Sequence, residues 1–434
     1  MNMLKIYREV FMRKFAIVGM GCAGYHAIKA MRESGFEGEI HVFSDVEHPP
    51  ANPMLTTYYI SGRISRDRMF PFGNLEALKN TYDVTLHLDE RAERVDTASK
   101  SVIVKNRDFT GFDRILLSTG ARAIAPPLGQ GGSGRTFLMR TVSDADALKA
   151  MLDTGTVKSA VVVGASMVGI KVAELLYNLG IKVYMADMAE RLFPLAATRE
   201  TADILETDLR NRGIELLLKH GVDHVEETSE GVKTYLTGDN CIASDILVLC
   251  IGTRANVELV ANTDVVENEP VLINRGIVAN ESMQTNIADI YAAGDCCEAL
   301  NIQTGRTMII GLWANAAIQG RVAGCCMAGR KETYKGSIPN NITHYFDETF
   351  IGIGDPNLEG EHFFFTNSAG SVSAVYGDTG LMCVNILGNY RVSGMIRDHM
   401  IKMITGEGEP FSLSDAGLLL ASGIPAEFIK MLTA

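Results

Sequence analysis

Two short apolar runs, Phe15-Ala16-Ile17-Val18 and Ala160-Val161-Val162-Val163, are each followed by a glycine-bearing turn and then by apolar residues at helical spacing. Continuous apolar runs of this length mark strands buried on both faces, and the change to a 3.6-residue period predicts a helix after each turn. The helices are expected to reach about Ser34 and Leu179. Each unit then closes with a second strand ending near an acid, at Ser44-Asp45 and at Asp187. Further strands are expected at Ser101 to Val104, Arg114 to Ser118, Gly231 to Leu236 and Asp245 to Cys250, the last two flanking a Gly238-Asp239-Asn240 turn. A helix ending near Lys219 and another starting near Thr307 complete this part. From about Ser337 the pattern becomes alternating strands followed by helix, which predicts a separate C-terminal domain.

The repeated strand, turn, helix and strand make the glycines informative. In Gly19-Met20-Gly21-Cys22-Ala23-Gly24 the first glycine permits the tight turn, the second lets backbone approach a pyrophosphate, and the third lets helix and strand pack closely. The second unit reads Gly164-Ala165-Ser166-Met167-Val168-Gly169, with a serine at the middle position that narrows the turn. In both, the helix N-terminus would present unpaired N–H groups to an anion. Two such units imply two nucleotides. Asp187 is placed to accept bonds from both adenine-ribose hydroxyls and to repel a 2′-phosphate, favouring NAD over NADP; the alternative is a surface acid. Asp45 follows Ser44 at the corresponding place in the first unit and is either the ribose acid or a solvated loop residue.

Composition narrows the partners. A formal charge of -12, with no basic run to reverse it locally, disfavours nucleic acid. No apolar stretch approaches the ~20 residues of a membrane span, and residues 1–14 lack a signal-peptide pattern, so a cytoplasmic location is expected, with the first eleven residues a dispensable extension or an upstream start. The cysteines, Cys22, Cys241, Cys250, Cys296, Cys297, Cys325, Cys326 and Cys383, form no Cys-x-x-Cys and are expected to be reduced, packed thiols without metal. His220 and His224 have ligand-like spacing but read as surface histidines.

The order Gly19-x-Gly21-x-x-Gly24, Leu117-Ser118-Thr119-Gly120-Ala121, Gly164-x-Ser166-x-x-Gly169, Ile251-Gly252-Thr253-Arg254-Ala255-Asn256 and Ile290-Tyr291-Ala292-Ala293-Gly294-Asp295 resembles the FAD-dependent pyridine nucleotide-disulfide oxidoreductases over residues 14 to 330. The stretch His48-Pro49-Pro50-Ala51-Asn52-Pro53-Met54-Leu55-Thr56 is similar to the branch of rubredoxin reductase, oxygenase ferredoxin reductases and NADH-dependent nitrite reductase. The chain is also similar to the NADH-linked flavoprotein subunits of phenylglyoxylate and aldehyde oxidoreductase complexes. The resemblance implies an α/β fold with two Rossmann-like domains and a smaller α+β C-terminal domain. The FAD domain would be split into 14–135 and 255–335, around an NAD domain at 136–254, with an interface domain at 336–434.

By the same resemblance, FAD would be held by Gly19, Gly21, Gly24, Ser44, Asp45, Thr119, Gly120, Gly294 and Asp295, the last through a ribityl hydroxyl. NAD(H) would be held by Gly164, Ser166, Gly169, Asp187 and Gly252. Residues 46–80 contain no cysteine, so the thiol relay of disulfide reductases is missing, and Cys22 inside the phosphate turn reads as an apolar filler. Electrons would then leave the flavin singly for an iron-sulfur protein or subunit, in an oligomer or hetero-complex; the alternatives are an NADH oxidase or diaphorase using oxygen or quinone, and a non-catalytic flavoprotein interaction subunit docking through Leu413 to Ala434. Three pocket positions remain open. Trp313 borders the flavin or is core; Thr57 stands where oxygenase-type reductases carry a lysine; and Lys171, in place of a family acid, either tunes the flavin or pairs with Glu174.

Overall fold

The computed structural model describes all residues except 1–12, 106, 128–133, 239, 262–269, 379, 389–390, 410 and 434. The expected N-terminal extension and the turn residue Asp239 therefore lie outside the described residues, as does Ala434. The chain divides into two compact units: residues 1–55, 64–122 and 253–337, and residues 56–63, 123–252 and 338–434.

The first unit is built on a five-stranded parallel sheet in the order Ile290–Ala292, Arg114–Leu117, Lys14–Val18, Glu39–Phe43, Thr85–His87. Phe15, Ala16, Ile17, Ile115, Leu116 and Leu117 are wholly buried, which is why the sequence there reads as unbroken apolar runs. The helix Cys22–Glu33 packs on this sheet and against the helix Trp313–Met327. The two helices approach so closely that a Cβ at Gly320 would overlap the backbone of Ala23, and one at Gly324 that of Ala27. Glycines four apart line one helical face, so both fall on the contact. Arg32, near the C-terminus of its helix, donates to the carbonyls of Tyr82, Phe36, Gly38 and Asp83 and ties the following turn down.

The second unit repeats the plan: a parallel sheet in the order Glu215–Leu218, Lys182–Asp187, Ser159–Val163, Ile246–Leu249, Thr136–Leu138, with the helix Met167–Asn178 after its glycine turn. An antiparallel five-stranded sheet follows from residue 340, ordered Asn340–Tyr345, Glu348–Gly354, Gly380–Gly388, Gly370–Gly377, Glu361–Asn367, and then the helices Ser393–Thr405, Leu413–Ala421 and Ala426–Thr433. Ser412 and Asp415 form a capping box on the second of these, and only Leu419 of its run is buried, while Leu413, Leu418 and Leu420 are exposed.

Three local expectations are corrected. Residues Arg306–Met308 form a strand paired with Cys297–Asn301, and the helix begins only at Trp313, because the Thr304-Gly305 turn folds the chain back into a ribbon. The segment before Lys219 is the strand Glu215–Leu218, since the helix Arg199–Asn211 stops at Gly213, whose φ is +85°. The Gly238 turn joins Val232–Leu236 to an extra strand, Asn240–Ser244, rather than to the sheet strand at Ile246. His220 and His224 consequently share no helix: His220 bonds to the carbonyl of Thr237, and His224 stacks on Tyr235 beside Asp223.

The close helix contact predicts the effect of crowding it. Gly320→Leu is expected to lower unfolding stability by about 1–3 kcal/mol, the usual cost of overpacking, in urea denaturation followed by circular dichroism. An unchanged midpoint would mean the helices do not touch there.

Candidate functional site

In the first unit, Gly19 sits at φ +105°, and a Cβ there would overlap the carbonyl of Ser118; one at Gly24 would overlap the carbonyl of Gly19. These two glycines bring the strand end against the helix start. A Cβ at Gly21, by contrast, would meet nothing within 4 Å. Gly21 is the N-cap, and no side chain caps the helix, so the positive end of the helix dipole stands beside this open position. That opening has the form a diphosphate requires.

The remote residues gather at this turn. Gly294, at φ +85°, lies where a Cβ would touch that of Ala23, and its amide donates to Gln319 Oε1 at 2.8 Å. Asp295 is close enough to Cys22 to act on it: burial first, and then the Asp295 charge, push the thiol up to about 12. Cys22 is buried and donates weakly to the Trp313 carbonyl at 3.4 Å, so it stays a protonated filler. Thr119 and Gly120 are clamped by Asn256: Thr119 Oγ1 donates to the Asn256 carbonyl at 2.7 Å, Asn256 Nδ2 returns a bond to the Thr119 carbonyl at 2.9 Å, and the Asn256 amide donates to Gly120.

Ser44 follows the strand Glu39–Phe43 and is buried, its Oγ accepting from the Val46 amide at 3.3 Å, whereas Asp45 is exposed. The Trp313 ring is half-buried and stacks on Phe72, which stacks on Tyr25 with ring centroids 3.9 Å apart. In this unit the tryptophan extends the core through an aromatic row.

In the second unit Gly164, at φ +116°, packs against the Cys250 carbonyl, and Gly169 against the carbonyl of Gly164. Ser166 differs from Gly21 in kind. Its Oγ accepts from the Gly169 amide at 3.2 Å and donates to the Cys250 carbonyl at 3.0 Å, so the turn carries a built-in cap. The Asp187 carboxylate accepts from the Ala165 amide at 2.6 Å and from the Ala189 amide at 2.7 Å, which fixes it against the turn. Gly252, at φ +100°, accepts from the Ile124 amide.

Lys171 pairs with Glu174, donates to the His344 carbonyl at 2.6 Å and lies over the Tyr58 ring at 5.2 Å. Glu174 is itself buried and also has Arg63 at 3.8 Å. With Thr57 these groups line a cleft of about 190 Å³ between the helices Thr56–Ile60 and Met167–Asn178. Lys171 and Glu174 thus form an ion pair one helical turn apart. Among the described residues no cluster of three or more His, Cys, Asp or Glu could hold a metal, and no helix is long and apolar enough to cross a membrane.

Gln319 and Asn256 were not anticipated as site residues, although both stand in runs whose register marked them. Each satisfies a backbone group of a turn over a sequence distance that no local pattern reports.

The sequence model of the pyridine nucleotide-disulphide oxidoreductases matches residues 13–320. The epsilon subunit of NADH-dependent phenylglyoxylate dehydrogenase from Aromatoleum evansii is 28% identical over 365 residues, covering 81% of each chain. An NADH oxidase from Methanocaldococcus jannaschii is 26% identical over 342 residues, covering 78% of this chain and 75% of that one. Among solved structures, the covalent putidaredoxin reductase–putidaredoxin complex aligns with a TM-score of 0.82 at 19% identity, over 95% of this chain and 99% of that one, a likeness of fold. The chain belongs to the pyridine nucleotide-disulphide oxidoreductase family and is an FAD-dependent NAD(P)H oxidoreductase.

Proposed function

We propose that this protein exchanges hydride with NAD(H) and single electrons with an iron-sulfur protein or subunit, using no redox-active disulfide. The carrying observation is the state of its thiols. All eight cysteines are free, and seven of them are buried or half-buried. Burial raises the thiols of Cys22, Cys250, Cys296, Cys297 and Cys383, which disfavours the thiolate that a relay needs. The exposed Cys241 lies on the outer hairpin strand Asn240–Ser244.

The residues fit the cofactors. The open position at Gly21 and the uncapped helix start suit the FAD pyrophosphate, with Gly19, Gly24, Thr119, Gly120, Gly294 and Asp295 around it and Ser44 and Asp45 toward the ribose. Bound FAD supplies both two-electron and one-electron chemistry. The turn of Gly164, Ser166 and Gly169 holds the nicotinamide coenzyme at its helix start, Gly252 closes the strand end, and Asp187 disfavours a 2′-phosphate, so NAD is preferred over NADP. Lys171 is structural, neutralising the buried Glu174, and Thr57 and Trp313 shape the surroundings.

The likeness to the putidaredoxin reductase–putidaredoxin complex supports a small redox protein such as an iron-sulfur protein as acceptor, and the similarity to a dehydrogenase subunit, with the exposed Leu413, Leu418 and Leu420, supports a hetero-complex or oligomer. Free thiols suit the cytoplasm. The NADH oxidase relative favours oxygen as a second acceptor, and fast oxygen turnover by the pure chain would establish that instead.

Anaerobic stopped-flow mixing with NADH is expected to bleach the flavin within the turnover time, and a flavin that stays oxidised under excess NADH defeats the proposal. Gly21→Val projects a side chain into the open cradle: FAD content should fall by about tenfold or more while the apoprotein unfolds within ~0.5 kcal/mol of the parent. Equal FAD content in both would remove the first turn as the FAD site. Lys171→Ala strands the Glu174 carboxylate and should lower stability by about 3 kcal/mol, less whatever Arg63 restores, with an unchanged hydride-transfer rate. A slowed rate would return Lys171 to the catalytic pocket.

A further inference from the structure

Within the second unit, the loop from Asp187 to the helix Arg199–Asn211 joins the glycine turn to the C-terminal sheet. Phe193 adopts φ +50°, and its amide donates to the Ala165 carbonyl at 2.9 Å. Since Asp187 accepts from the Ala165 amide, this one turn residue is held at both of its backbone polar groups. Further along, Asn385 in the strand Gly380–Gly388 grips the same loop with both ends of its carboxamide. Its Oδ1 accepts from the Thr198 amide at 2.6 Å, and its Nδ2 donates to the Ala196 carbonyl at 2.8 Å. Thr198 Oγ1 donates to Ser373 Oγ at 2.7 Å and caps the helix through the Thr201 amide.

Asn385 and Ser373 are wholly buried. A donor and an acceptor on one rigid side chain match the two loop groups, and an apolar replacement leaves an amide and a carbonyl unpaired without water. The packing beneath leaves the loop little room. The Phe193 ring lies 5.1 Å from that of Phe350, and Gly352 sits where a Cβ would press on the Ala196 carbonyl. The Ala196 and Ala197 amides both donate back to the Phe193 carbonyl, which ties residues 193–197 into one hydrogen-bonded turn.

We propose that Asn385 is a positioning residue for the second dinucleotide site: from the C-terminal sheet it sets residues 193–198, which set the Ala165 peptide and hence the amides of the glycine turn. This rests on the reading of that turn as the NAD site. It gives the C-terminal domain a part in coenzyme binding, although its side chains carry no nucleotide motif.

The test uses the full-length flavoprotein, with ADP-ribose binding measured by calorimetry and amide exchange of residues 164–169 by mass spectrometry. Asn385→Leu is expected to raise the ADP-ribose Kd about tenfold and to speed that exchange, with FAD content unchanged. Ile386→Ala empties a wholly buried apolar position on the opposite face of the same strand and serves as the stability control. It should lower the melting temperature while leaving both readouts as in the parent. The proposal is overturned if Asn385→Leu leaves the exchange of residues 164–169 unchanged, or if Ile386→Ala moves both readouts as far. Should the parent bind no ADP-ribose, the NAD reading fails, and the exchange comparison still decides whether Asn385 holds the turn.

Discussion

Everything in this molecule is arranged around the approach of a strand end to a helix start with no side chain between them. Gly19 against Ser118 and Gly24 against Gly19 in one unit, and Gly164 against Cys250 and Gly169 against Gly164 in the other, are contacts that any Cβ would block. Close approach places each helix start directly after the end of its strand. The positive end of a helix dipole there favours an anion without any charged side chain, which agrees with an acidic chain that binds nucleotide coenzymes.

The two turns are nevertheless not copies. Gly21 leaves its position open, and the first helix begins uncapped; Ser166 fills the same position and satisfies the Gly169 amide itself. The helix start of the first turn carries no side-chain cap, while that of the second is already partly satisfied by Ser166.

The cysteines and charged residues fit the same economy. Cys22 sits in the first glycine turn, and burial, then the Asp295 charge, keeps it protonated. Lys171 and Glu174 answer each other within one helix, with Arg63 nearby, so the cleft they line holds no isolated buried charge.

The glycine turns, both parallel sheets and the C-terminal run of strands followed by helices were legible in the sequence, because buried parallel strands and tight turns impose strong local patterns, while the placing of Gly294-Asp295 near the first turn followed from the family resemblance. The strand at Arg306–Met308 and the strand at Glu215–Leu218 were not, since short apolar runs satisfy either period until a neighbouring strand claims them. Nor were the partners that hold the site. Gln319 on Gly294, Asn256 on Thr119, Lys171 with the His344 carbonyl and Asn385 on the loop at Ala196–Thr198 each pair a side chain with a backbone group far along the chain. Sequence alone determined where backbone had to bend and lie bare; only the tertiary structure decided which distant polar atoms would meet those bare groups, because a hydrogen bond is selected by distance and burial rather than by spacing along the chain.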